Sequence, residues 1–136
     1  MVRLIMGVKG SGKTKKLIEL VNEAIDNEHG DTVCIARTAK FTYDIPHKVR
    51  LIDASQYDFN GYDFLKGYIS GLYSANYDIT HIFIDSVLQI IGKGVDNDAE
   101  DFFEWCEDFG IKEHIKFTIT ISVDINKATE RIKKYF

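Results

Sequence analysis

The sequence predicts an α/β domain in three layers, with helices on both faces of a mostly parallel five-stranded sheet. Three observations predict it. Short β-prone runs alternate with helical patterns along the chain. A glycine-rich loop joins the first run to the first helical pattern. A later run, apolar on both faces, ends in a carboxylate, which is the texture of a strand buried in a parallel sheet. The length of 136 residues, 15.6 kDa, suits one compact domain over residues 1–136.

Residues 2–6 (VRLIM) read as the first strand, stopped by Gly7. From 14 to 27, Leu17, Ile18, Leu20, Val21, Ala24 and Ile25 recur at helical spacing, with Gly30 placed to terminate the helix. Strands are expected at 32–36 and 49–53, on either side of a segment holding the one proline, Pro46. Phe64, Leu65, Tyr68, Ile69 and Leu72 predict a helix over 61–73. Gly67 and Gly71 each weaken that helix by about 1 kcal/mol relative to alanine, and close packing on the sheet is the expected compensation. Residues 81–85 (HIFID) are the buried-strand candidate. Between 96 and 109, seven acidic residues surround a face of Phe102, Trp105, Cys106 and Phe109, which predicts an amphipathic helix with an acidic outside. The last strand is expected at 117–123, after which Asp124 can cap a basic helix running toward Tyr135.

Composition excludes several classes. With 45% apolar residues the chain can build a core, and intrinsic disorder is not expected. A net charge of -4 has the wrong sign for a dedicated nucleic-acid binder. Two cysteines, Cys34 and Cys106, are too few for a disulfide framework or a four-cysteine zinc site and suit a reducing compartment. His29, His47, His81 and His114 lack metal-ligand spacing, and His81 reads as a packed residue. No apolar stretch approaches the ~18 residues of a spanning helix, and no cleavable leader is visible. The expectation is a cytoplasmic protein without membrane insertion.

Gly7-Val8-Lys9-Gly10-Ser11-Gly12-Lys13-Thr14 fits G-x-x-x-x-G-K-[ST], set between a predicted strand and a predicted helix. To wrap an anion with backbone N–H groups the chain must come close, so Gly7, Gly10 and Gly12 supply room while the helix start adds its positive dipole end. Lys13 is placed to reach the β- and γ-phosphates, and the Thr14 hydroxyl to coordinate magnesium. Lys9 and Ser11 belong to the same cradle. Lys15 is counted with it, although Lys15 and Lys16 also suit the exposed face of the helix. Magnesium needs a second, anionic anchor near the phosphates, which Asp85 supplies at the end of Ile82-Phe83-Ile84. Lys13 and Asp85 are the candidate catalytic groups, and Thr14 and Asp85 the candidate metal ligands.

At these residues the chain resembles the P-loop NTPase superfamily, with Walker A and Walker B motifs in a RecA-like core. The stretches GVKGSGKTKKLIELVN and FLKGYISGLYSANYDITHIFID are similar to short Firmicutes P-loop proteins, some labelled twitching-motility ATPases. The resemblance implies that Lys13, Thr14 and Asp85 bind Mg-ATP and that Ser122 resembles the sensor position. It further implies that the strand at 117–123 lies between the P-loop strand and the Walker B strand. That leaves the P-loop strand at or near a sheet edge, with which Arg3 is compatible. RecA-like hydrolases usually carry a glutamate beside the Walker B aspartate; here Ser86 stands there, so no general base is identified.

Other residues stay open. Asp53 either faces the same crevice or caps a turn, and Arg37 either supplies charge to the phosphate or is solvated. Aromatic residues between Phe41 and Tyr77 either stack a base or pack in the core. Asn126-Lys127 lacks the aspartate of a guanine-reading element. The expected function is an ATP-binding, Mg-dependent nucleoside triphosphatase with slow or partner-stimulated hydrolysis. The alternatives are a nucleoside or small-molecule kinase, which its four dispersed arginines do not equip with a lid, and a non-catalytic nucleotide-dependent assembly module. A protein partner or homo-oligomer is expected.

Overall fold

The computed structural model describes residues 1–38 and 44–136, so Phe41 and Tyr43 lie outside the described residues. Its strands are β1 (Val2–Met6), β2 (Asp31–Ala36), β3 (Arg50–Asp53), β4 (Ile79–Asp85) and β5 (Lys116–Ile121). They form one sheet in the order β1-β5-β4-β2-β3, with every pair parallel. Strand β1 is therefore an edge strand, with β5 between it and β4. On its free side the Leu4 N–H donates to the Tyr135 carbonyl at 2.8 Å, which satisfies one edge amide from the C-terminal segment.

The helices are α1 (Lys13–Asn27), α2 (Tyr62–Ala75), α3 (Val87–Ile91), α4 (Asn97–Glu113) and α5 (Glu130–Lys133). Strand alternation divides β4 between two apolar clusters. Phe83 joins Leu17, Val21, Ala24 and Cys34 on the α1 side. Ile82 and Ile84 join Leu65 and Ile69 of α2, Phe102 and Phe103 of α4 and Ile132 of α5 on the other. With apolar groups on both faces, β4 is buried from His81 to Asp85, and its carboxylate end is carried into the interior by the strand itself. Among the described residues no helix is long and apolar enough to cross a membrane.

Three sequence expectations are corrected. Gly67 and Gly71 do not pack on the sheet: both are exposed, and a Cβ added at either would meet no atom within 4 Å. Leu65 and Ile69 make the contact instead, from the opposite side of α2. The last strand ends at Ile121, two residues early. The single basic helix after it is two pieces. Asp124 accepts the Asn126 N–H two residues on, an Asx turn that opens only the 3-10 turn Ile125–Lys127, and Thr129 then precedes the one-turn α5. Helix α3, directly after β4, was not expected at all. Helix α4 runs past residue 109 to a C-cap at His114, whose N–H bonds the Gly110 carbonyl.

Candidate functional site

In a parallel sheet all strand C-termini meet at one end, and the turns there converge. Between β1 and α1 the loop makes a tight turn, with the Ser11 N–H on the Val8 carbonyl at 3.1 Å. Gly10 and Gly12 adopt φ of 84° and 88°, a left-handed backbone that side chains disfavour. Gly12 is the N-cap of α1 and brings no side chain to the cap, so the first amides of the helix are not claimed by one. Lys13 is buried, and its Nζ donates to the Val8 carbonyl at 2.8 Å and lies 3.5 Å from Ser11 Oγ. Burial lowers its pKa from the usual lysine value, while the charge of Asp85 acts the other way.

Asp85 is buried at the end of β4 and is held from two sides. Thr120 Oγ1 on the adjacent β5 donates to Asp85 Oδ1 at 2.7 Å, and the same hydroxyl accepts the Ser86 N–H at 2.7 Å. Thr14 Oγ1 at the start of α1 lies 3.4 Å from Asp85 Oδ2. Thr120 thus fixes one carboxylate oxygen and leaves the other facing Thr14. Cys34, one strand over, has its thiol pushed up to about 12 by burial and by the Asp85 charge, so it stays a neutral packing group. Ser86 itself has φ 58° and ψ 50°, a left-handed conformation costly for a non-glycine residue and typical of functional turns.

A cavity of about 520 Å³ opens over this turn cluster. Lys9, Gly10, Gly12, Lys13, Thr14 and Lys15 line one wall, and Arg37, Ser86, Gln89 and Ser122 the other. Of the residues expected in the cradle, Gly7 and Ser11 build the loop without lining the cavity. A Cβ on Gly7 would collide with the Ser11 hydroxyl. Lys16 is exposed and away from the lining. Four cationic side chains and no acidic one line the cavity among the described residues.

Asp53 takes the capping role. Its Oδ1 accepts Ser55 Oγ–H at 2.6 Å and Ser55 N–H at 2.9 Å, and these bonds lower its pKa. Ser122 reaches the cavity from just beyond β5. Three contributors were missed in the sequence: Thr120, Gln89 and the left-handed turn at Ser86. For Thr120 a polar residue alternating into a buried strand was the available signal; the other two depend on α3.

Neither a protein family nor a curated protein matches this chain by sequence. Among solved structures it is similar to the flagellar accessory protein FlaH from Methanocaldococcus jannaschii, with a TM-score of 0.59 and 14% identity. The likeness covers 96% of this chain and 64% of that one. The fold is RecA-like. At this identity the likeness speaks to architecture, and the chain spans about two-thirds of the neighbour's length.

Proposed function

We propose that this chain binds a magnesium–nucleoside triphosphate, with ATP as the nucleotide, and hydrolyses it slowly or when stimulated by a partner. The observation that carries the reading is the meeting of Thr14 and Asp85 beneath a cationic cavity whose floor is a glycine-rich loop at a helix start. Phosphates would lie on the N–H groups of 9–14, with Lys13 turning from the Val8 carbonyl to the β- and γ-oxygens.

The donor set suits magnesium: a hydroxyl and a carboxylate oxygen, both hard ligands, with the second carboxylate oxygen already occupied by Thr120. Thr14 and Asp85 would hold the ion, which when bound neutralises charge on the phosphate oxygens. Calorimetry with Mg-ATP tests the reading: measurable binding that Lys13→Ala weakens by about a hundredfold is expected, and no binding, or binding indifferent to that change, sinks it.

A second reading, a nucleotide-dependent assembly module, is favoured by the lack of an acidic side chain lining the cavity among the described residues. The neighbour's description as an accessory protein is compatible with partner dependence in either reading. Sustained turnover by the isolated monomer would argue against a purely regulatory role.

A further inference from the structure

Hydrolysis at a γ-phosphate needs a water held in line with the bond that breaks, and something must orient it. At the end of β4 no glutamate is present to do so, because Ser86 follows Asp85. Ser86 instead turns the chain through a left-handed conformation, locked by its N–H on Thr120 Oγ1. Helix α3 therefore starts at once. Val87 and Leu88 are buried and anchor it, and the next residue is Gln89, whose N–H bonds the Ser86 carbonyl at 3.0 Å.

Gln89 has an exposed side chain on the cavity wall opposite the P-loop. Phosphates seated on the loop would present their terminal group to that wall. Its polar side chains are Arg37, Ser86, Gln89 and Ser122. Arg37 can only donate, and serine hydroxyls rotate freely. Among the described residues of that wall the amide alone carries a donor and an acceptor at fixed spacing in one plane.

Resting on the nucleotide reading above, we propose that Gln89 is the catalytic residue that orients the attacking water. Its carbonyl oxygen accepts a proton-bearing edge of the water, and its NH₂ donates to the water oxygen or to the phosphate. The water oxygen bonds to the γ-phosphorus while the bond from that phosphorus to the bridging oxygen breaks. The electron pair leaves with the diphosphate, and the water's protons pass to the phosphate formed and to solvent. A neutral amide takes no proton, so it orients the water without acting as a general base.

The test compares wild type, Gln89→Ala and Gln89→Glu in three measurements: Mg-ATP binding by calorimetry, single-turnover phosphate release, and affinity for ADP–aluminium fluoride with magnesium. Gln89→Ala should bind Mg-ATP within about threefold of wild type, yet lose roughly tenfold or more in single-turnover rate and a similar factor for the fluoride complex. Gln89→Glu should recover the rate, increasingly so as pH rises through its carboxylate range. Gln89→Ala equal to wild type in rate and fluoride affinity overturns the assignment. So does a wild type that binds Mg-ATP but neither hydrolyses it nor binds the fluoride complex more tightly than ADP. A wild type that binds no Mg-ATP overturns the nucleotide reading, and this assignment falls with it.

Discussion

Strands β4 and β5 carry two polar clusters on the α1 side of the sheet, one at each end. At the C-terminal end Asp85 meets Thr120 and Thr14. At the N-terminal end His81 Nε2 meets Thr118 Oγ1 at 2.8 Å and Nδ1 meets Glu28 Oε2 at 2.9 Å. Phe83 separates them, its ring stacked on His81 with centroids 4.0 Å apart. Helix α1 supplies the third member of each, Thr14 from its first turn and Glu28 from its C-cap.

What differs is saturation. At the His81 end every ring nitrogen is engaged within 3 Å, and Lys116 lies 3.8 Å from the same Glu28 oxygen. With the ring neutral, Nδ1–H donates to the carboxylate and Nε2 accepts from the hydroxyl. At the Asp85 end the Thr14 contact is long, at 3.4 Å, and among the described residues Lys13 Nζ hydrogen-bonds only to loop atoms. The cavity at the His81 end, about 590 Å³, is the larger of the two, yet its buried polar groups already satisfy one another. A closed cluster staples the fold, an open one beside a glycine loop can take a ligand, and volume does not distinguish them.

The largest effect expected from this contrast is on binding. Lys13→Ala should weaken Mg-ATP by about a hundredfold, the loss of a charged hydrogen-bond donor, while Glu28→Ala should leave affinity unchanged and lower the denaturation midpoint. Calorimetry and urea unfolding on both variants check it; weakened binding in Glu28→Ala would erase the distinction between the two ends. Next in size is the threonine pair. Thr120→Val strips the buried Asp85 Oδ1 and Ser86 N–H of their shared partner, which should cost about 2 kcal/mol of stability and weaken Mg-ATP. Thr118→Val should cost stability alone. Equal affinities in the two variants would show that Thr120 does not orient Asp85.

The open end was the more legible in sequence. The glycine-rich loop shows in sequence as small residues at fixed spacing, and Gly10 and Gly12 take the left-handed backbone that only such residues adopt cheaply. The strands were visible from β-propensity and turn residues, because each is one short run. Helix α3 was not, since five residues are too few to show a period. Thr120 reads as an ordinary strand former until β5 is paired with β4, and pairing is a long-range fact. Gly67 and Gly71 were misjudged although the pattern was present: each lies about 200° around the helix from the buried residue two positions before it, Leu65 or Ile69.

The closed end should reveal itself through pH. Burial lowers the His81 pKa below 6.5, with Glu28 opposing and Lys116 and the N-terminus adding to the shift. Between the folded and unfolded values the unfolded chain binds the extra proton. Stability from the neutral ring is therefore complete above the unfolded value and is lost as pH falls through the folded one. Urea unfolding at about pH 7.5 and about pH 5 should show a smaller loss for His81→Gln than for wild type. Mg-ATP affinity should change between those conditions by the same factor in both proteins. A variant with the wild-type pH slope would mean that His81 does not report this end of the sheet.

The smallest effect concerns a surface remote from both clusters. Gly67 and Gly71 are exposed in the middle of α2, and an alanine methyl at either position meets open space. Each Gly→Ala change should stabilise the protein by about 0.5–1 kcal/mol, because alanine loses less backbone freedom on entering a helix. Neither should alter Mg-ATP affinity or the pH slope. Thermal unfolding of the single and double variants reads the gain. An absent gain in a monomer would mean that the unfolded chain, and not the exposed helix, sets the stability of this region.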